Sequence, residues 1–198
     1  MLHAIILAAG SSSRMGTPKP LLAAADGRSF IECSAGTLAA AGLADIVVVT
    51  GASHPLVAAV LEDAGFVNPP RVIRNPDPSR GQLSSLLAGL EALPPDADGA
   101  LVTLVDVPLV STATVRAVID SWIARRAPIV RPAIGDRHGH PVIFDRRVFA
   151  ALRDAPPDEG AKRVVHDLES EVENVAVEDE GCLIDIDTPE DYRRVIRG

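Results

Sequence analysis

Ile5-Ile6-Leu7-Ala8-Ala9-Gly10-Ser11-Ser12-Ser13-Arg14-Met15-Gly16, followed by Pro18-Lys19-Pro20, is the stretch on which the reading of this sequence turns. The apolar run from Ala4 to Ala8 predicts a short strand covered on both faces, as strands of parallel sheets are. Past it the side chains shrink. Ala8, Ala9, Gly10, Ser11, Ser12 and Ser13 leave main-chain N–H groups open to close approach, and a run of such groups forms a concave anion site. Arg14 adds a fork suited to phosphate oxygens, and Lys19 a point charge on a flexible stem. Strand, small-residue loop, Arg and Lys together suit a polyphosphate. Taken from the residues alone, the stretch also fits a tight strand-to-loop connection with a surface Arg and Lys. Two commoner phosphate loops are excluded. Gly10 and Gly16 are followed by Thr17-Pro18 rather than Lys-Ser/Thr, and no Gly-x-Gly-x-x-Gly fingerprint is present.

Working outward, strands and helices alternate. Ser29-x-x-Glu32 reads as a capping box that opens a helix closed by Gly42. Strands are expected at Asp45–Thr50, Arg71–Arg74 and Ala100–Val105, and helices at Pro55–Ala64, Gln82–Ala92 and Ser111–Arg125. Trp122 reads as packing inside the last of these. Pro128–Pro132 and Pro141–Phe144 read as two strands around a polar turn, Gly135-Asp136-Arg137-His138-Gly139. Helices follow at Asp145–Leu152 and Gly160–Leu168, then a strand at Glu171–Val177. Thr188-Pro189-Glu190-Asp191 carries the marks of a helix start. The alternation predicts an α/β fold with a mostly parallel sheet, helices on both faces and a small antiparallel addition. Loops after the strands then share one edge, where ligands bind.

The chain has 198 residues, 47% hydrophobic and 23% charged, enough for one domain with a full core. A net charge of −8 and 3% aromatic residues argue against nucleic acid as a partner. A polyanionic ligand must then be met by local cations, N–H groups and a metal ion. Cys33 and Cys182 lack metal-type spacing and read as small buried residues of a reducing compartment. No leader and no apolar run of transmembrane length are seen, so a soluble cytoplasmic protein without a membrane partner is expected.

Asp106 directly follows a buried strand, which puts a carboxylate at the ligand edge. Asp185 and Asp187 share a face if their segment is extended. Three acids this close repel unless a cation sits among them, and Mg²⁺ takes one or two carboxylates plus phosphate oxygens and water. Turn and helix-cap roles are the alternative for each acid.

Leu7-Ala8-Ala9-Gly10-x-Ser12-x-Arg14-Met15-Gly16-x-x-Lys19 resembles the signature of the MobA-like nucleotidyltransferases, most closely the molybdenum cofactor cytidylyltransferases. The resemblance implies a single-domain, three-layer Rossmann-like nucleotidyltransferase fold over residues 1–198. It implies a loop from Leu7 to Ser12 around a triphosphate, with Arg14 and Lys19 on the phosphates. Asp106 and Asp187 then hold Mg²⁺, and Asn75, Gly81, Ser84 and Ser85 belong to the base- and ribose-recognition loop. Gly139-His140-Pro141 and Asp158-x-Gly160-Ala161-Lys162 resemble the acceptor-binding stretches of the cytidylyltransferase branch. The sequence departs from that branch at Val107, where glutamine is usual, and at Lys162, where arginine is usual. The implied activity is transfer of CMP from CTP to a phosphorylated acceptor, molybdopterin, with release of pyrophosphate, and transient contact with a molybdoenzyme. Alternatives are a same-fold transferase that uses a sugar phosphate or polyol phosphate, guanylyl transfer to molybdopterin, or a nucleotide-binding maturation factor without turnover.

Overall fold

A computed structural model describes residues 1–10 and 16–197. Ser11, Ser12 and Arg14, all expected at the phosphate loop, lie outside the described residues. Strands β1 (Leu2–Ala8), β2 (Ile46–Thr50), β3 (Arg71–Arg74) and β4 (Gly99–Leu104) run parallel in the order β3-β2-β1-β4. Helices α1 (Phe30–Ala40), α2 (His54–Asp63) and α3 (Gln82–Glu91) make the crossovers between them.

β1 explains the layering. Successive side chains of a strand point to opposite faces. Ala4, Ile6 and Ala8 pack with Phe30, Ile31 and Leu38 of α1, and with Val57 and Leu61 of α2. Ile5 and Leu7 pack instead with Leu83, Leu86 and Leu90 of α3. A strand apolar on both faces therefore needs a helix layer on each side, as its uninterrupted hydrophobic run requires.

The second half of the sheet is mixed. Helix α4 (Thr112–Arg125) leads to β5 (Ile129–Ile134), β6 (Arg137–His138) and β7 (Val142–Asp145). β7 lies antiparallel beside β4, β5 antiparallel beside β7, and both β6 and β8 (Val172–Ala176) pair with β5. The expected turn over residues 135–139 is shorter than predicted. Arg137 and His138 continue the ladder opposite Ile134 and Ala133, which leaves Gly135 and Asp136 at the bend. Two polar residues with no apolar alternation gave no strand signal, and pairing with β5 decided the matter.

Helices α5 (Phe149–Asp154) and α6 (Ala161–Asp167) cover the α3 face, while α4 covers the α1 face. Trp122 is buried in α4; its Nε1 donates to Asp145 at 3.2 Å, and Arg126 lies 4.4 Å from the ring centroid. Cys33 and Cys182 are buried free thiols. The chain ends with α7 (Pro189–Tyr192) and a π-helical turn over Arg193–Arg197. Among the described residues, no helix is long and apolar enough to cross a membrane.

The parallel strands deliver Ala9, Gly51, Asn75 and Asp106 to one edge. β7 runs the other way, with Val142 paired to Val102. Its entry, His140-Pro141, joined by a cis peptide bond, therefore reaches that same edge.

Candidate active site

Lys19 stands at the centre of this edge. The Pro18 and Pro20 rings fix φ on either side of it, and Lys19 opens a 3₁₀ turn in which the Leu21 N–H donates to the Pro18 carbonyl at 2.9 Å. Its Nζ donates to Asp106 Oδ2 at 3.1 Å and also to Asp187 Oδ1. Burial pulls the lysine pKa down, but the bond to Asp187 and the charge of Asp106 outweigh it and hold the ammonium above the ordinary lysine value.

Asp106 leaves β4 through a short turn, and its backbone carbonyl accepts from the Ile186 N–H at 2.8 Å. That bond ties the loop after β4 to the segment carrying Asp185 and Asp187. Asp187 precedes a second capping box, in which Thr188 accepts from the Asp191 N–H at 3.1 Å. Asp185 titrates above an ordinary aspartate because its surroundings are partly desolvated and because Asp106 and Asp187 stand nearby, with Lys19 opposing. Asp106 Oδ1 is buried without a hydrogen-bond partner. An unsatisfied buried carboxylate oxygen is costly unless a donor or cation meets it. These hard oxygen donors fit Mg²⁺ or Mn²⁺. Among the described residues, no three potential ligands converge as a preformed metal cage, which suits a cation completed by substrate phosphates and water.

Two adjoining hollows lie at this edge, the smaller of them against Lys19 and Asp106. The smaller, about 310 Å³, is lined by Leu7, Ala8, Ala9 and Gly10, by Lys19 and Asp106, and by Gly81, Gln82 and Ser85. Gly81 has φ of +87°, a conformation open to glycine and strained for other residues. Asn75 and Ser84 do not line it. Asn75 is buried and donates to Ser84 and Ser85 at 2.8 and 3.0 Å, so its side chain fastens the loop to α3.

The larger hollow, about 710 Å³, shares Leu7, Gly81, Gln82 and Leu104 with the smaller. Gly139, His140, Asp158, Gly160 and Lys162 line it, while Pro141 is buried and faces Thr37 and Leu38 of α1 instead. Gly139 has a physical reason to be glycine: a Cβ there would lie 2.1 Å from the Cys182 carbonyl oxygen. That carbonyl accepts from the His140 N–H at 2.9 Å. The His140 ring is drawn below an ordinary histidine pKa by burial, which outweighs the Val102 carbonyl and Asp106. Its imidazole is therefore neutral near pH 7, and its Nδ1 is covered and unpartnered. Arg131, His138 and His166 also line this hollow. Sequence reasoning missed them; they fall inside a strand, an expected turn and a helix face, with no motif around them.

A small-residue cradle, a partly buried lysine and an acid cluster at the carboxyl edge of a mostly parallel sheet define an α/β protein with a site suited to phosphate. A family model described as the MobA-like NTP transferase domain matches residues 4–173, and the chain belongs to that family. The nicotine blue oxidoreductase of Paenarthrobacter nicotinovorans is 30% identical, over 97% of this chain and 95% of that protein. The purine catabolism protein PucB of Bacillus subtilis is 31% identical, over 99% and 96%. The crystal structure of Rv0371c from Mycobacterium tuberculosis H37Rv superposes with a TM-score of 0.81 at 30% identity, covering 100% of this chain and 98% of that one. A structure of the same protein in complex with manganese gives 0.77 at 28% identity and the same coverage.

Proposed function

We propose that this protein transfers a nucleoside monophosphate from a nucleoside triphosphate to a phosphorylated acceptor and releases pyrophosphate. CTP is the favoured nucleotide and molybdopterin the favoured acceptor. The observation that carries the reading is Lys19, which lines the smaller hollow with Asp106, held between Asp106 and Asp187.

A phosphate oxygen of the acceptor attacks the α-phosphorus, and the bond from that phosphorus to the bridging oxygen of pyrophosphate breaks. The attacking oxygen is already anionic near pH 7, so no general base is needed. The work is positioning and charge neutralisation. The N–H groups of Ala9 and Gly10 border the triphosphate hollow, and Lys19 neutralises the leaving pyrophosphate. Arg14, assigned from the sequence signature, adds a second cation. His140 and Lys162 face the acceptor in the larger hollow. Asp106 and Asp187 would hold the divalent cation, which when bound withdraws charge from the α-phosphate and orients the attacking oxygen. That Rv0371c is described in complex with manganese supports use of a divalent cation by this fold.

A relative named an oxidoreductase at 30% identity favours a second reading, redox chemistry on the same scaffold. One experiment separates them. CTP, GTP, ATP and UTP are each tested with Mg²⁺ for binding, and pyrophosphate release is then followed on adding molybdopterin. CTP preference with acceptor-dependent pyrophosphate supports the transfer reading. Binding without pyrophosphate for any acceptor moves the function away from transfer.

A further inference from the structure

We propose that Arg131 and His138 form an anion subsite at the outer end of the larger hollow, which binds a second anionic group of the acceptor remote from its reacting phosphate. The inference rests on reading that hollow as the acceptor site.

The sheet places the two residues together. His138 pairs with Ala133, and Arg131 lies two residues before Ala133 on the same strand. Side chains alternate along a strand and paired residues share a face, so Arg131 and His138 are diagonal neighbours on one face. Ile129, on the same face as Arg131, packs in the cluster with α3, α5 and α6. From the opposite wall Lys162 and His166 face the hollow one helical turn apart.

Arg131 is the key. Its Nε donates to Asn174 on β8 at 2.8 Å, which fixes the guanidinium and leaves its terminal nitrogens for another acceptor. Among the described residues it has no carboxylate within salt-bridge distance. Burial lowers its pKa, opposed by the more distant Glu169, whose carboxylate pairs with His166 at 3.9 Å. His138 is drawn below an ordinary histidine by burial and by Arg131, against Asp136 and Glu169. An ordered, partly desolvated guanidinium beside a histidine is matched by an oxyanion, which pairs with the fork and favours the imidazolium. β5 is two strands from β4, about 10 Å across the sheet. A group held by Arg131 is therefore distinct from the phosphate that reacts beside Asp106.

The test is histidine-ring NMR of the intact protein titrated with inorganic phosphate and, in parallel, with acetate, while CTP with Mg²⁺ is titrated by calorimetry. The expected result is saturable movement of the His138 signals. Arg131→Gln, read on the His138 ring, and His138→Ala, read on the His166 ring that lines the same hollow, weaken binding by about tenfold or more, and Arg131→Lys recovers part. The tighter of the two anions identifies the group as phosphate-like or carboxylate. Binding that is absent, or unaffected in both Arg131→Gln and His138→Ala, overturns the subsite while intact CTP binding leaves the transferase reading standing. Anion binding that depends on Arg131 in a protein that binds no nucleotide overturns the transferase reading instead.

Discussion

Lys19 touches two carboxylates: it neutralises acids that would otherwise repel, and in the proposed transfer it offers its charge to the leaving pyrophosphate. Lys19→Ala and Asp106→Ala are each expected to lower turnover by ~10²-fold or more, the scale of a lost preorganised charge contact; pyrophosphate-release kinetics on folded variants check this. Asp179 belongs to stability rather than catalysis. It accepts from the Ser111 and Gly181 N–H groups at 2.8 and 3.0 Å and from the Thr114 hydroxyl at 2.7 Å. Burial raises its pKa, but these bonds outweigh burial and hold it below an ordinary aspartate. A depressed carboxylate stabilises the fold fully above its unfolded value, about 3.9, and loses that contribution as the pH falls through the folded value. Asp179→Asn should therefore be less stable than the parent at pH 7, with the gap narrowing in acid. Urea unfolding across the acid range measures it. Asp106 could be read from the sequence because a lone carboxylate ends an apolar run. Arg131 could not, because a long cation in a strand usually lies along the surface with its head in water, and only the sheet register shows His138 beside it.

At the scale of elements, local chemistry and tertiary pairing divide the prediction. The capping box of α1 was readable because both bonds lie within four residues: the Ser29 N–H donates to Glu32 at 2.7 Å, and the Ser29 hydroxyl oxygen accepts from the Glu32 N–H at 3.4 Å. Ser29→Ala should cost about 1 kcal/mol of unfolding free energy, measurable as a lower denaturation midpoint with an unchanged slope. β6 was not readable, since Arg137 and His138 become a strand only through β5. The clamp between the β7 entry and the segment at Cys182 was equally hidden. Gly139→Ala forces a Cβ onto the Cys182 carbonyl. It is expected to lower thermal stability and, through His140, to weaken acceptor use more than nucleotide binding, which a comparison of the two affinities checks.

Across the whole molecule the sheet separates the two tasks of the proposed transfer. The parallel half, β3-β2-β1-β4, carries the cradle and Asp106, whereas the mixed half carries His140, Arg131 and the α6 face. The apolar runs of the parallel half announced themselves because strands buried on both faces leave no polar alternation. The reversal at β7 carried no comparable signal beyond a departure from strict alternation. Leu101, fully buried in β4 within the cluster joining α1 and α4, links the halves. Leu101→Ala should destabilise by about 2–5 kcal/mol, read by denaturant unfolding.

The bond from Lys19 to Asp187 spans 168 positions of the chain, and this has a consequence for the order of events during synthesis. The cradle, β1 and even Asp106 leave the ribosome long before the carboxylate that completes the site. A nascent chain can fold its parallel half early, yet its lysine meets both acids only when the segment carrying Asp187 has emerged and docked through Ile186 onto Asp106. Completion of the site, and with it the proposed transfer, is thereby deferred until Asp187 has been made.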